Sequence, residues 1–364
     1  MEDKTNRETN DFITFMKEQG KLINQKLEES LGNENSKQNI QKLLGRGGYK
    51  YDSNSIEKSI IDPAWYLVSQ GGKRLRPVFT LLVIGLFKKD FDDYIEFSII
   101  PEVLHTGTLI HDDIEDKSIK RRNADCVHIK YGLDIALNLG DFMFYFPMKA
   151  LIDSDKLSTE QKLKITREYI NDMLKLGIGQ GVDLAWHNYL VNISDISEEN
   201  YLRTAFDKTG ALLGFAAKLG AIIGNANEKQ VEALGKFGAT IGVSFQIRDD
   251  YLNIENSKVS DSKGGIGDDI TEGKVTLFVL HALKLANPTD KKRLIDILNS
   301  HTSNDKLKKE ASDLLIKYNS DGYVKDMADS LIEESWKEID NEFPDSPSKK
   351  RLKEMVGFIL NRNF

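Results

Sequence analysis

The spacing of apolar residues constrains the fold of this chain more than any other feature of its sequence. Between Val231 and Phe245, apolar side chains recur every third or fourth position, which places them on one face of a helix. Only 7 prolines occur in 364 residues, and no convincing run of alternating apolar residues between turn signals indicates a strand. The sequence therefore predicts an all-α fold.

Glycines interrupt this apolar segment at Gly235, Gly238 and Gly242, and a second stretch has Gly210 and Gly214 at the same spacing of four. Each glycine costs about 1 kcal/mol of helix stability relative to alanine. The close approach of a neighbouring helix would offset that cost. Tight core packing is therefore predicted at both stretches.

Turn signals mark the ends of one helix near residue 60. Asp62 followed by Pro63 predicts its start, and Gly71 with Gly72 predicts its end and the release of a basic loop. Residues 1–54 are interpreted as a polar N-terminal extension, a helix followed by a loop. Residues 55–364 are interpreted as a single all-α domain.

Composition and charge exclude several classes of protein. The net charge of −7 argues against a nucleic-acid partner, because a surface that reads phosphates needs an excess of basic residues. No run of 18 apolar residues predicts a transmembrane segment. The polar, acidic N-terminus is unlike a targeting peptide, so a cytoplasmic location is expected.

Cysteine and histidine usage restricts the kind of metal site that the chain can form. Cys126 is the only cysteine, and the 6 histidines are scattered without a close pair. Any metal site must therefore use oxygen ligands, which favours magnesium or calcium over zinc.

Two basic clusters stand out against the acidic balance of the chain. One contains Lys73, Arg74 and Arg76, and the other covers residues 120–122. This local contrast in sign is a first indication of a small anionic substrate.

The first of two acidic clusters is the sequence HDDIED at residues 111–116. Asp112 and Asp116 are four residues apart, so their carboxylates lie on one helix face. Like charges at this spacing repel each other, and a bound magnesium ion would remove the repulsion. A solvated acidic patch would be the better interpretation if this cluster stood alone.

The same pattern recurs in the sequence DDYLN at residues 249–253. Asp249 and Asp250 follow an apolar helix face, where carboxylates are rare unless they are paired or bound to metal. Two such clusters on separate helices would be able to face each other across a cavity and hold several magnesium ions around one diphosphate.

These motifs resemble those of the isoprenyl diphosphate synthase family, which includes the geranylgeranyl and farnesyl diphosphate synthases. The resemblance covers roughly residues 55–364. Its separate motifs follow the family's order: GGKRLRP at 71–77, DDIED at 112–116, the pair Arg121-Arg122, GQGVD at 179–183, Lys208-Thr209, FQIRDD at 245–250 and KGGIGDDITEGK at 263–274. It implies a helical bundle around a deep central cavity, acting as a homodimer.

The implied activity is that of a trans-prenyltransferase, which joins an allylic diphosphate to isopentenyl diphosphate by metal-assisted ionisation, condensation and proton loss. The resemblance makes carboxylates the magnesium ligands, with Asp113 and Asp250 as secondary or outer partners: Asp112, Asp113, Asp116, Asp249 and Asp250. Manganese would be able to replace magnesium. The bound metal would neutralise the charge that develops on the leaving diphosphate.

Basic residues would contact the same allylic diphosphate from the protein side, namely Arg121, Lys208 and Lys263. Lys274 would reach a metal-bound phosphate through water or pair with Asp268 or Asp269. Thr209, Gln246 and the Lys208 backbone would present oxygen dipoles to the carbocation. Two further polar residues would support the metal and lysine array: Gln180 and Asp183.

Isopentenyl diphosphate would bind in a separate pocket without metal. By resemblance, this pocket is formed by Gly72, Lys73, Arg76, His105 and Arg122. The residues themselves favour the same interpretation, because a glycine-ended helix followed by basic side chains forms an anion cradle.

Product length is predicted from the helix that carries the first acidic cluster, since in this family the prenyl chain grows along that helix. Gly107 and Thr108 lie about one turn before Asp112, and Leu104 lies one turn further away. None of the three is aromatic, so the expected main product is geranylgeranyl diphosphate, with farnesyl or longer-chain diphosphates as the alternatives. Phenylalanine at position 107 would then shorten the product.

Two residues depart from the family's pattern. Asn123 follows the arginine pair where glycine is usual, and asparagine tolerates a left-handed backbone, so the turn should persist. Asn253 replaces the third acid of the second cluster and is a weaker metal ligand. Similar forms of this motif occur in geranylgeranyl diphosphate synthases.

Two more remote functions remain as alternatives. A class I terpene cyclase would share the fold, but its second metal motif requires Ser or Thr followed by Glu, where this chain has Asn253 and Ser257. A non-catalytic subunit of a heteromeric synthase would usually have lost the acidic clusters, and both clusters are present here.

Overall fold

The computed structural model describes residues 2–32, 36, 38, 40, 45, 51–254 and 268–360. The chain divides into two compact units. Unit 1 comprises Met1–Glu168, Ala216–Val231 and Asp345–Glu354, and unit 2 comprises Tyr169–Phe215, Glu232–Pro344 and Met355–Phe364. The predicted boundary between residues 54 and 55 stays a prediction.

Helices account for nearly all regular structure in the described residues, and the predicted all-α class is confirmed. The helices up to residue 153 are α1 Glu2–Leu31, α2 Ser53–Ile56, α3 Asp62–Ser69, α4 Leu75–Ile84, α5 Ile95–Ser98, α6 Ile100–Glu115, α7 Val127–Tyr131 and α8 Leu133–Asp153. Those that follow are α9 Thr159–His187, α10 Glu198–Ala205, α11 Ala211–Ile223, α12 Glu228–Ile254, α13 Asp268–Glu272, α14 Leu277–Leu285, α15 Pro288–Asn299, α16 Asp305–Lys317, α17 Ser320–Glu342 and α18 Pro347–Leu360. Short 3₁₀ turns lie at Phe91–Tyr94 and Ile193–Asp195, and π-helical turns at Glu57–Ile61 and Phe206–Gly210.

A two-stranded hairpin is the only sheet in the described part of the chain. Strand β1, Lys120–Arg121, pairs antiparallel with β2, Ala124–Asp125. Arg122 and Asn123 form the turn with φ of 54° and 65°, and a two-residue turn of this kind requires positive φ at both positions. The left-handed backbone predicted for Asn123 is confirmed.

The helix predicted to start at Asp62 begins nine residues earlier, at Ser53. Asp52 caps it by accepting hydrogen bonds from the backbone N–H groups of Asn54 and Ser55. Helix α2 continues through the π-helical turn into α3, and this wider turn accommodates Pro63, which would break a regular α-helix. The predicted end is correct, because α3 stops at Ser69 ahead of the glycine pair.

Helix α1 buries one face in unit 1. Its inward side chains recur every three or four residues and are fully buried at Phe12, Ile23, Leu27 and Leu31. The helix contacts α3, α4 and α5. These contacts fix its position against the segment that carries the GGKRLRP loop.

Helix α8 packs along α6 within unit 1. A Cβ atom on Gly107 of α6 would lie 3.0 Å from the carbonyl oxygen of Gly140 and from Cβ of Met143, so glycine permits this close packing. Within the described residues, α8 alone is long and apolar enough to cross a membrane, and 39% of its apolar stretch is buried. One such helix is weak evidence for a membrane span.

Two helical segments of unit 2 approach each other closely at the predicted glycines. A Cβ atom on Gly242 would lie 2.7 Å from Cα of Gly210, and one on Gly214 would lie 3.1 Å from the carbonyl oxygen of Gly235. The predicted tight packing is confirmed here. It places the π-helical turn Phe206–Gly210 directly against α12.

Candidate active site

The first acidic cluster lies at the C-terminal end of α6. Asp112 and Asp113 are in its last turn, Asp116 is its C-cap, and the last turn contains no basic residue. This end of a helix carries partial negative charge, so carboxylates there are unfavourable without a compensating cation. Asp112 and Asp116 are both half-buried, which leaves part of each residue exposed.

Asp113 has a different environment from its two neighbours. Its side chain is 1% exposed, and Oδ1 accepts hydrogen bonds from Nε and Nη2 of Arg121 at 2.9 and 2.5 Å. Burial, together with the charge of Asp113, raises the pKa of the Cys126 thiol to about 12. Because two nitrogen atoms of Arg121 bond to this buried carboxylate, Asp113 fixes Arg121 of the hairpin beside the acidic end of α6. Its predicted place as an outer metal partner stays a prediction.

The predicted isopentenyl diphosphate pocket is brought together within unit 1. Arg122 donates from Nη1 to the carbonyl oxygen of Gly71. A Cβ atom on Gly72 would lie 3.1 Å from Nη2 of Arg122 and 3.1 Å from Nη1 of Arg74. With φ of 138°, glycine is required at position 72 both for the backbone and for this approach. Lys73, next in the loop, is exposed.

The pKa of His105 in α6 is lowered by burial and by the positive charges of this pocket. Burial lowers the pKa of His105 well below its usual value, and the neighbouring arginines lower it further: Arg76, Arg122, Arg121 and Arg74. A neutral imidazole among guanidinium groups is the environment expected of a site for a multiply charged anion.

The three predicted chain-length residues lie in different environments on α6. Leu104 is fully buried, and Gly107 is buried against α8. Phenylalanine at position 107 would therefore displace α8, so the substitution predicted from the sequence to plug a tunnel would first disturb helix packing. Thr108 is half-buried and lies one turn before Asp112.

In unit 2, the π-helical turn Phe206–Gly210 carries Lys208 and Thr209. π-Helical turns inside helices are frequent at functional sites. Nζ of Lys208 lies 2.6 Å from Oδ2 of Asp183, one of its predicted neighbours. A Cβ atom on Gly179 would lie 2.5 Å from the backbone nitrogen of Lys208, so the first glycine of GQGVD allows α9 to contact this turn. Gln180 is half-buried on α9.

The second acidic cluster is part of a hydrogen-bonded chain in unit 2. Thr209 Oγ1 donates to Oε1 of Gln246 at 3.0 Å, and Nε2 of Gln246 donates to Oδ1 of Asp250 at 2.7 Å. The hydroxyl of Tyr201 donates to Oδ2 of Asp250 at 2.6 Å. Asp250 is thus buried and fully engaged, whereas Asp249 is half-buried.

Asp269 and Tyr201 belong to this group. From the sequence, Asp269 was expected only as a possible partner of Lys274, and Tyr201 had no role. Burial and the charge of Asp269 raise the pKa of Asp250 to about 7. Lys274 lies 3.3 Å from Asp269, which is one of the two pairings predicted for that lysine. The two adjacent aspartates of DDITEGK could have identified Asp269 from the sequence, whereas no motif marks Tyr201. Lys263 lies outside the described residues.

The carboxylates suit a hard divalent cation. In the described part of the chain, no three acidic, histidine or cysteine side chains converge closely enough to hold an ion by themselves. Magnesium is commonly bound by one or two carboxylates, with water and substrate phosphate oxygens as the other ligands. Within unit 1, the half-buried Asp112 and Asp116 suit that kind of binding, and within unit 2 the half-buried Asp249 does so.

An all-α fold with carboxylates at helix positions and a separate basic pocket defines a class of enzyme that acts on diphosphates with the help of a metal ion. Residues 57–315 match the polyprenyl synthetase family, and the chain belongs to this family of prenyltransferases. Members of the family use divalent metal ions.

Known relatives match nearly the whole chain. A short chain isoprenyl diphosphate synthase from Methanothermobacter thermautotrophicus is 32% identical over 311 residues, covering 85% of this chain and 92% of that protein. A geranylgeranyl diphosphate synthase from Sulfolobus acidocaldarius is 31% identical over 320 residues, covering 86% of this chain and 93% of that protein. The crystal structure of geranylgeranyl pyrophosphate synthetase from Pyrococcus horikoshii is similar, with a TM-score of 0.82 at 28% sequence identity. The match covers 97% of this chain and 99% of that structure's chain. The predicted helical-bundle fold is confirmed.

Proposed function

We propose that this protein condenses dimethylallyl, geranyl or farnesyl diphosphate with isopentenyl diphosphate, and that its main product is geranylgeranyl diphosphate. The observation that supports this best is the composition of one face of α6. His105 lies in the arginine-rich pocket, and Asp112 lies seven residues further along the helix, about 10 Å away. One helix thus contributes to a metal-free anion pocket and to a pair of carboxylates suited to a metal-bound diphosphate.

We assign Asp112 and Asp116 in unit 1, and Asp249 in unit 2, as magnesium ligands, each for metal that the allylic diphosphate requires. When bound, the metal supplies Lewis-acid stabilisation of the departing diphosphate. The protein's own contribution is a set of fixed positive charges. Asp113 holds Arg121, and Asp183 holds Lys208, so neither cation needs to reorganise when the allylic C–O bond breaks.

The carbocation left by this ionisation needs nearby oxygen atoms and the exclusion of water. The hydroxyl of Thr209 is oriented by its hydrogen bond to Gln246, which leaves the lone pairs of the hydroxyl oxygen for the cation. Gln246 is itself oriented by Asp250. This chain of hydrogen bonds fixes the direction of the dipoles before the reaction begins.

The preferred product is supported by the relatives named as geranylgeranyl diphosphate synthases and by the small size of Thr108. A half-buried side chain of this size would leave room for a chain longer than that of farnesyl diphosphate.

The experiment is an incorporation assay with the purified protein alone, magnesium, radiolabelled isopentenyl diphosphate and each allylic starter in turn. We expect labelled geranylgeranyl diphosphate from all three starters. Cyclic hydrocarbon products would show a terpene cyclase instead. No incorporation by this chain alone, with activity restored by a second polypeptide, would show a subunit of a heteromeric synthase.

We also propose that the protein forms a homodimer. Ile170, Leu174 and Ile178 are 50%, 63% and 62% exposed and lie along one side of α9. An exposed apolar row of this kind is typical of an interaction surface. Sedimentation should show a dimer that Ile178→Glu dissociates, whereas Ile316→Glu, at a solitary exposed isoleucine of α16, should leave it intact. A wild-type monomer would contradict the proposal.

A further inference from the structure

Arg74 differs from the basic residues on either side of it in the GGKRLRP loop. It is 5% exposed, and its backbone has a left-handed φ of 51° immediately before α4. Lys73 is exposed, whereas Arg74 turns back into unit 1. Its guanidinium is therefore not available to a diphosphate in the way that its neighbours are.

Three nitrogen atoms of Arg74 bind three different segments. Nη1 donates to Oε1 of Glu102 on α6 at 2.8 Å, and Nη2 donates to the carbonyl oxygen of Val68 on α3 at 2.7 Å. Nε donates to Oδ1 of Asn24 on α1 at 2.8 Å. Glu102 is 4% exposed and lies one turn before His105 on the same helix.

The guanidinium of Arg74 also lies beneath the loop that it belongs to. The position of a Cβ atom on Gly72 would be 3.1 Å from Nη1 of Arg74 and 3.1 Å from Nη2 of Arg122. The missing Cβ atom at Gly72 makes room for the Arg74 guanidinium, so the position of the guanidinium limits where the backbone of Gly72 and Lys73 can lie. Asn24 fixes the direction of Nε, and together with Glu102 and Val68 it fixes the position of the guanidinium.

We propose that Asn24 is a positioning residue for the isopentenyl diphosphate pocket, acting from the first helix through Arg74 on Gly72 and Lys73. The inference rests on the proposed function only for the identity of the ligand. It assigns to the N-terminal helix a part in substrate binding, in addition to its packing on unit 1.

Asn24 is suited to a test because it contributes little to the fold itself. The residue is exposed, and alanine is a better helix former than asparagine. The buried face of α1, with Ile23 and Leu27, anchors the helix independently of this side chain. Loss of the amide should therefore lower the unfolding temperature only slightly, so that a change in KM does not arise from unfolding.

The test compares steady-state kinetics of Asn24→Ala, Asn24→Asp and the control Gln25→Ala with wild type. Asn24→Ala should raise the KM for isopentenyl diphosphate about fivefold, a change of the size that one ordinary hydrogen bond contributes, with kcat and the allylic KM unchanged. Asn24→Asp keeps an acceptor for Nε and should retain the wild-type KM. Gln25 bonds only to Glu29 of its own helix among the contacts described, so Gln25→Ala should have no effect.

An unchanged KM for isopentenyl diphosphate in Asn24→Ala would overturn the inference, as would an equal rise in both KM values. A wild-type protein without turnover would overturn the proposed function instead. In that case, calorimetric titration of inorganic diphosphate without magnesium still tests Asn24. Weaker binding to Asn24→Ala than to wild type would support the positioning role, and equal binding would refute it.

Discussion

Arg121 and Arg122 are adjacent in the sequence and serve different parts of unit 1. Arg121 pairs with the buried Asp113 at the acidic end of α6, and Arg122 donates to the carbonyl oxygen of Gly71 in the basic loop. The tight turn at Arg122 and Asn123 separates the two side chains in this way. The assignment of the two arginines to different diphosphates stays a prediction.

The carboxylates give the most decisive prediction at the scale of single residues. Asp112→Ala and Asp249→Ala should each reduce turnover at least a thousandfold, about 4 kcal/mol, because metal-based charge neutralisation is lost. Asp313→Ala is the control, since Asp313 is exposed and pairs only with Lys309 of its own helix among the contacts described. A variant of either metal residue that retains more than about a tenth of the wild-type rate would refute the assignment.

The basic loop gives a prediction about substrate selectivity. Lys73→Ala and Arg76→Ala should raise the KM for isopentenyl diphosphate about tenfold or more and leave the allylic KM nearly unchanged, because each removes a charge from one pocket only. Initial rates measured with each substrate varied in turn separate the two constants. Equal effects on both constants would mean that the residues do not distinguish two diphosphate sites.

At the scale of elements, the contact of α9 with the π-helical turn can be tested with matched glycines. Gly179→Ala would bring a Cβ atom within 2.5 Å of the Lys208 backbone nitrogen and should displace Lys208 and Thr209, lowering kcat at least tenfold. Gly20→Ala in α1 meets no atom within 4 Å and should preserve activity. Full activity of Gly179→Ala would show that the contact does not position the turn.

The half-buried Thr108 of α6 gives a prediction of product length. Thr108→Phe places an aromatic ring one turn, about 6 Å, from Asp112 and should shift the main product to farnesyl diphosphate while condensation continues. Thr108→Ser is the control and should retain the wild-type product. Chromatography separates the products by chain length. An active Thr108→Phe variant that still makes geranylgeranyl diphosphate would show that α6 does not determine product length.

At the scale of the whole molecule, helical periodicity and the order of the motifs were sufficient to predict the fold class. The close packing at the glycines of α12 was predictable because glycine lowers helix stability unless a neighbouring helix packs against it. Gly210 is that neighbour for Gly242. Two local expectations were incomplete for a physical reason. The wide turn before Pro63 depends on local backbone geometry that residue spacing does not encode. The contact of Gly107 with α8 depends on a segment that is distant in sequence.

The site was predictable where chemistry repeats in the sequence, and less so where a residue acts through another. Asp112 and Asp249 stand in repeated acidic patterns, so the spacing singled them out as candidates, and the resemblance supplied the role that stays a prediction. Tyr201, which donates to Asp250, and Asn24, which binds Arg74, are single polar residues without a motif. Their contacts arise only when helices far apart in sequence pack together.

The central claim is that this chain extends an allylic diphosphate by successive condensations and stops at twenty carbons. Mass spectrometry of the products formed from dimethylallyl diphosphate, excess isopentenyl diphosphate and magnesium counts those condensations directly. We expect three additions, a dominant geranylgeranyl diphosphate, and no product when magnesium is removed by a chelator. A dominant product with two additions, or no addition in the presence of magnesium, would contradict it.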